Sequence, residues 1–144
     1  MIGIGMGGFI DGIVFHQILQ VHNMLSARIP TTTLVGAKVN MVWDGAFHLG
    51  VWVATAIGIK LLWDAARRDS LQIAGQAFVG TLLLGWGLFN VVEGLIDHHL
   101  LHLHHVVEAM GESAWDYAFL GWGAVMIVIG LALMRSHGVT RVTQ

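Results

Sequence analysis

The fold class the sequence predicts is all-α: a four-transmembrane-helix bundle made of two parallel two-helix repeats. Three observations predict it. Of 144 residues, 56% are hydrophobic and only 11% charged, less than half of the roughly 25% charged residues of a soluble domain. The apolar residues come in four blocks of about the 20 residues needed to cross hydrocarbon. A pattern of acids and histidines in the first block also returns, in order, in the third.

The blocks place spans at Ile2–His22, Val42–Trp63, Ala74–Leu100 and Ala114–Met134 in one integral membrane domain over 1–144. The first starts without a basic region or a small-residue cleavage site, so it reads as a retained helix. Polar connectors hold Ser26, Arg28, Pro30 and Thr31–Thr33; then Asp64, Arg67, Arg68 and Asp69; then Glu108, Gly111, Glu112 and Ser113. An even number of spans puts both termini on the side of the second connector. That side carries Lys60, Arg67, Arg68, Arg135 and Arg141, against Arg28 and Lys38 opposite. By the positive-inside rule this predicts a multi-pass protein of the bacterial inner (cytoplasmic) membrane, N-in and C-in. Trp43, Trp63 and Trp115 stand at span ends, where indoles favour the interface. Nineteen glycines against one proline suit close helix approach in lipid, with Gly8-x-x-x-Gly12, Gly85-Trp-Gly87 and Gly121-Trp-Gly123 as packing points.

The internal repeat is specific. At a shift of 82, Asp11-Gly12-x-x-x-His16-x-x-Leu19-x-x-His22 lies over Glu93-Gly94-x-x-x-His98-x-x-Leu101-x-x-His104. At a shift of 72, Trp43-Asp44-x-Ala46-Phe47 lies over Trp115-Asp116-x-Ala118-Phe119. The copies are about 1–63 and 74–134. Each has two spans, so both share one orientation, with a pseudo-two-fold axis along the membrane normal.

Eight of the nine histidines fall toward the outer face, and His137 alone lies in the tail. Asp44 and Asp116 are expected to begin helices two and four from that side, and Asp11 and Glu93 to sit mid-span. A charge at the bilayer centre costs about 2.5–3.5 kcal/mol on insertion scales, so these acids need partners or a cation. Helical spacing sets Asp44 and His48 on one face. It also predicts one stripe of His98, His102 and His105 and another of Glu93, Asp97 and His104, with Asp11 and His22 as its counterpart. Inward imidazoles and carboxylates are how helix bundles hold metals. The candidate ligands are Asp11, His16, His22, Asp44, His48, Glu93, His98, His104 and Asp116. His22 and His104 fall where a last turn meets water, His99 and His105 read as solvated or supporting, and Asp116 reads equally as a helix cap. Asp11 and His16, like Glu93 and His98, are about 140° apart on a regular helix. Aiming both at one point requires a bulge, for which Gly12 and Gly94 are placed.

This donor set suits a transition metal and leaves Cu, Fe and Zn undistinguished. Without cysteine a thiolate site is excluded, while Met24 and Met41 stand near the rim as soft donors. Redox or metal-handling work follows. Three other readings compete: a small structural or assembly subunit of a larger, respiratory-type membrane complex; a haem-b carrier with His16 and His98 as axial ligands; and a proton or ion path. The bilayer is the implied partner, with a homo-oligomer or larger complex. A net charge of −2 argues against nucleic acid.

Along Gly7–His22 (Gly-Gly-Phe-x-Asp-Gly-x-x-x-His-Gln-Ile-Leu-Gln-x-His), Asn90–His105 and Trp43–His48, the chain resembles the bacterial membrane family known as domain of unknown function 2243. The resemblance covers nearly the whole chain. It implies the fold and the motif positions, and no activity.

Overall fold

The computed structural model describes residues 1–68 and 74–136; Asp69, His137 and Arg141 therefore lie outside the described residues. The described chain is helical: α1 (Ile2–Ile18), α2 (Leu34–Ala66), α3 (Gly75–Leu100) and α4 (Ala114–Ser136), with one 3-10 turn at Glu108–Met110. Helices α2, α3 and α4 are each long and apolar enough to cross a membrane, and α1 is a shorter apolar helix.

Two expected boundaries move. The first helix ends at Ile18 instead of His22, because Leu19 N–H closes on the Val14 carbonyl and Val21 N–H on the Phe15 carbonyl. Gln20 then adopts φ 51° and reverses the chain. Helix α2 starts at Leu34, eight residues before Val42, where the Thr33 side chain caps it by accepting the Gly36 N–H. Its 33 residues span about 50 Å at 1.5 Å per residue. Trp43 and Asp44 are therefore inside this helix, not at its start.

Helices α1 and α3 pack together, α2 packs on α1, and α4 packs on α3. Glycine sets the close approaches: a Cβ on Gly85 would meet Gly3 and Ile4 backbone at about 3 Å. One on Gly123 would meet the Gly87 carbonyl and Asn90 Cβ at 3.0 Å. The inside is polar. Buried positions include Asp11, His16, His22, Asn40, Asp44, Asn90, Glu93, His98, His104 and Asp116, whereas the buried hydrophobic residues are Val51, Ala77, Val106 and Met126. Large apolar side chains such as Trp52, Trp63, Leu49 and Val128 point outward. In water this inversion would have almost no hydrophobic driving force; in lipid it costs little.

The connectors after α1 and α3 interlock. Ala27 N–H donates to the Leu103 carbonyl and Glu108 N–H to the Val21 carbonyl, both at 3.0 Å. Ser26 Oγ donates to Glu108 (2.8 Å) and Arg28 to the Leu101 carbonyl (2.6 Å). Buried Asn40 accepts from Leu25 N–H and donates to the Ile29 carbonyl, pinning the first connector to α2. Together the connectors close the end of the molecule at which α1 and α3 finish and α4 begins.

Candidate metal centre

Both α1 and α3 change from α to π geometry near their ends, over Asp11–Ile18 and Gly94–Leu100. Hydrogen bonding from i to i+5 brings residues five apart onto one face, which is the bulge that the Asp11/His16 spacing requires. His16 Nε2 lies 3.1 Å from Asp11 Oδ2, and His98 Nε2 lies 3.4 Å from Glu93 Oε1. The reversals after each helix, at Gln20 (φ 51°) and His102 (φ 47°), then return two more imidazoles. His22 Nε2 lies 3.8 Å from Asp11 Oδ1, and His104 Nε2 lies 3.0 Å from Glu93 Oε1. Ring centroids are 4.6 Å apart for His16–His22, 4.7 Å for His22–His104 and 4.8 Å for His98–His104. None of the six side chains is exposed by more than 7%.

Three of the four other ring nitrogens are hydrogen-bonded, and His98 Nδ1 is not. His16 Nδ1 bonds Asp44 Oδ1 at 2.9 Å, His22 Nδ1 bonds the Val106 carbonyl at 3.0 Å, and His104 Nδ1 bonds the Met24 carbonyl at 3.2 Å. His98 Nδ1 lies 3.2 Å from Asp116 Oδ1. A carbonyl only accepts, so His22 and His104 carry their proton on Nδ1 and aim Nε2 inward. The two supporting carboxylates are fixed in turn: Asp44 by Met24 N–H and Asn23 Nδ2 (2.8 Å each), Asp116 by Val106 N–H (3.0 Å) and Ser113 N–H (2.8 Å). Asp116 is thus a helix cap and a histidine partner at once.

His104 faces an acceptor at both nitrogens, yet a neutral imidazole has one N–H. Burial opposes charge on this ring, but the Glu93 carboxylate outweighs it and holds the His104 pKa above the ordinary value. Burial, helped by neighbouring His104 and His16, instead pushes His22 down to about 3, which leaves it neutral. Asp11 Oδ2, Glu93 Oε2 and the Nε2 atoms of His16, His22 and His98 have no hydrogen-bond partner among the described residues. Each such buried orphan costs about 1–3 kcal/mol, and a cation would relieve those it reached. His16, His22 and His104, or Glu93, His98 and His104, present ligand atoms within 4.8 Å of one another, and either group could hold a metal ion.

Of the nine sequence candidates, six converge: Asp11, His16, His22, Glu93, His98 and His104. Asp44 and Asp116 stand behind His16 and His98. His48 makes no ion pair or ring contact with these six among the described residues; its ring lies beside Phe9 and Phe47, and its Nδ1 bonds the Asp44 backbone carbonyl at 2.8 Å. The expected stripe of His98, His102 and His105 does not form, since α3 ends at Leu100. Glu93 and His104 do meet, through a chain reversal and not along a continued helix, while Asp97 bonds neither of them and lines, with Glu93, a cavity on the flank of the bundle. The water-exposed setting expected for His22 and His104 is also overturned: they are 2% and 0% exposed. Sequence reasoning missed Asn23, Asn40 and the Met24 and Val106 backbones. The last two are 82 residues apart, like the histidines they serve, and that spacing was the available signal.

A family of predicted membrane proteins, DUF2243, matches residues 1–137. No curated protein matches the chain, and no solved structure does. The extent of the family match agrees with the apolar helices and the inverted polar interior. The chain belongs to the DUF2243 family of predicted membrane proteins.

Proposed function

We propose that the chain is an integral membrane metalloprotein, with His16, His22, His98 and His104 binding through Nε2 and Asp11 and Glu93 supplying carboxylate oxygens. The carrying observation is the set of buried inward-facing atoms without hydrogen-bond partners, backed by the held Nδ1 atoms of His16, His22 and His104. Held Nδ1 atoms are the usual support of metal-binding histidines. The two overlapping groups share His104 and suit one ion or a close pair. Imidazole and carboxylate donors fit Fe, Zn, Cu(II) or Mn, for redox or metal-handling work. Rings packed at 4.6–4.8 Å centroid distances, with connectors across them, leave no slot for a porphyrin and favour a non-haem ion over haem b.

Two parallel repeats, 1–63 and 74–134, are part of this reading. Their support is the correspondence, at a shift of 82, of the π segments, the left-handed residues Gln20 and His102, and the carbonyls of Met24 and Val106. So is insertion in the bacterial inner membrane with both termini cytoplasmic, which puts the centre toward the outer face. Apolar side chains along α2 and α4 face outward, where lipid, a second copy or a larger complex would cover them.

Elemental analysis and an optical spectrum of protein purified without added chelator test the proposal. About one or two ions per chain are expected, as in bundle-held metal sites, and His16→Ala with His98→Ala should remove them while the protein stays membrane-inserted. Metal-free wild type, or full metal in the double variant, would return the cluster to a purely structural role.

A further inference from the structure

Two cavities reach the centre from the flanks of the bundle, and they are unequal. One, of about 150 Å³, reaches Asp11 past Phe15, Trp86 and Trp122. The other, of about 420 Å³, reaches Glu93 and is lined by Ile4, Phe47, Phe89, Val92 and Asp97. Many lining positions correspond at a shift of 82: Asp11 with Glu93, Ile10 with Val92, Ile4 with Trp86, and Phe15 with Asp97. An indole and a phenyl ring narrow the first cavity where isoleucine and aspartate leave the second open. The backbone does not dictate the difference, because Phe15 and Asp97 carbonyls do the same job, accepting Val21 and Leu103 N–H.

Asp97 is half-buried inside a spanning helix, and its side chain makes no hydrogen bond or ion pair among the described residues. An intramembrane carboxyl with no hydrogen-bond or ion-pair partner among the described residues is a functional candidate. Leu88, Val92 and Ile96 at the cavity mouth are exposed on the outer face of α3, so entry is from the bilayer. The volume falls in the range of about 300–1,000 Å³ typical of small-molecule sites. Two phenyl rings line it, with carboxyl acceptors at its inner end.

We infer that this cavity binds an uncharged, bilayer-dissolved aromatic molecule bearing a hydroxyl donor, of the hydroquinone class, with that hydroxyl on Asp97 and the ring between Phe47 and Phe89. That the hydroxyl end sits beside a metal rests on the metal-centre reading; the cavity and its free acceptor do not. Asp97 is here a binding residue, and no electron transfer is assigned to it.

The test is anaerobic equilibrium binding of decylubiquinol to the full chain in lipid nanodiscs, with empty discs as the partition blank and metal content measured on every sample. Saturable binding is expected, weakened at least tenfold by Asp97→Phe, which copies position 15, and clearly reduced by Asp97→Asn, which keeps the shape. The dimethyl ether of the same ring should bind more weakly than the quinol. Binding no greater than to empty discs would mean that a lipid chain fills the cavity, and would overturn the inference. Equal binding by the ether, or by an Asp97→Phe protein of unchanged helicity, would overturn it too. Asp97-dependent binding to metal-free protein would uphold this site while sinking the metal reading; full metal without binding would do the reverse.

Discussion

His22 and His104 show how one residue type takes two protonation states within a few ångströms. His22 is neutral with its lone pair inward, since burial and two neighbouring imidazoles hold its pKa at about 3. His104 faces an acceptor at each nitrogen, the Met24 carbonyl and the Glu93 carboxylate, and Glu93 holds its pKa above the ordinary value, which favours a proton where a cation would bind. Metal binding needs neutral imidazoles and therefore releases protons. Titrating metal into chelator-stripped protein near neutral pH should release about one proton per His104 displaced, readable as a dependence of calorimetric heat on buffer ionisation enthalpy. The sign is fixed: affinity falls as pH falls, and no proton release at neutral pH would contradict the assigned state of His104. At the outer nitrogens, Asp44→Asn and Asp116→Asn should each lower metal affinity by about 10–100-fold, the cost of losing a ligand's supporting partner. His48→Ala should leave affinity unchanged, because His48 bonds only the backbone of its own helix. A large loss with His48→Ala would show that this ring swings into the centre.

Among the elements, the π segments do what a regular helix cannot. They turn a five-residue spacing into a facing pair at Asp11/His16 and Glu93/His98, and they end each helix early enough for the chain to return His22 and His104. The cost is weaker backbone geometry at the ends of α1 and α3. Contact between α3 and α4 positions Asp116 against His98, and it depends on glycines such as Gly80, Gly87, Gly123 and Gly130 that face the partner helix. Gly123 has the Gly87 carbonyl and Asn90 Cβ at 3.0 Å from a built Cβ, whereas Gly121 has nothing within 4 Å. Gly123→Leu should therefore destabilise the bundle by about 1–3 kcal/mol, as overpacking does, and lower its detergent melting temperature. Gly121→Leu should leave it unchanged. Equal effects of the two would mean that α3 and α4 do not pack along this face.

At the scale of the whole molecule, the polar inside and apolar outside are a membrane protein's solution to burying six ligand-type side chains. Lipid supplies the contact that an apolar core supplies in water. The proposed orientation predicts that a reporter fused after Gln144 is active only in a cytoplasmic form. A periplasmically active fusion would move the centre to the cytoplasmic side.

The repeated Asp/Glu–Gly–His pattern and the long apolar blocks are linear features, so the helical membrane fold, the family and the six side chains that converge can be read from the chain alone. The requirement for a bulge was legible too, because it follows from the angle between residues five apart. The exclusion of His48, the burial of His22 and His104, and the roles of the Met24 and Val106 carbonyls belong to the fold. Each depends on how the chain leaves a helix and on which connector it meets, and backbone groups carry no residue signature. A helix end is set by small competing hydrogen bonds, such as Leu19 N–H to the Val14 carbonyl and Gly36 N–H to Thr33 Oγ1, and those few bonds decide which side chains converge.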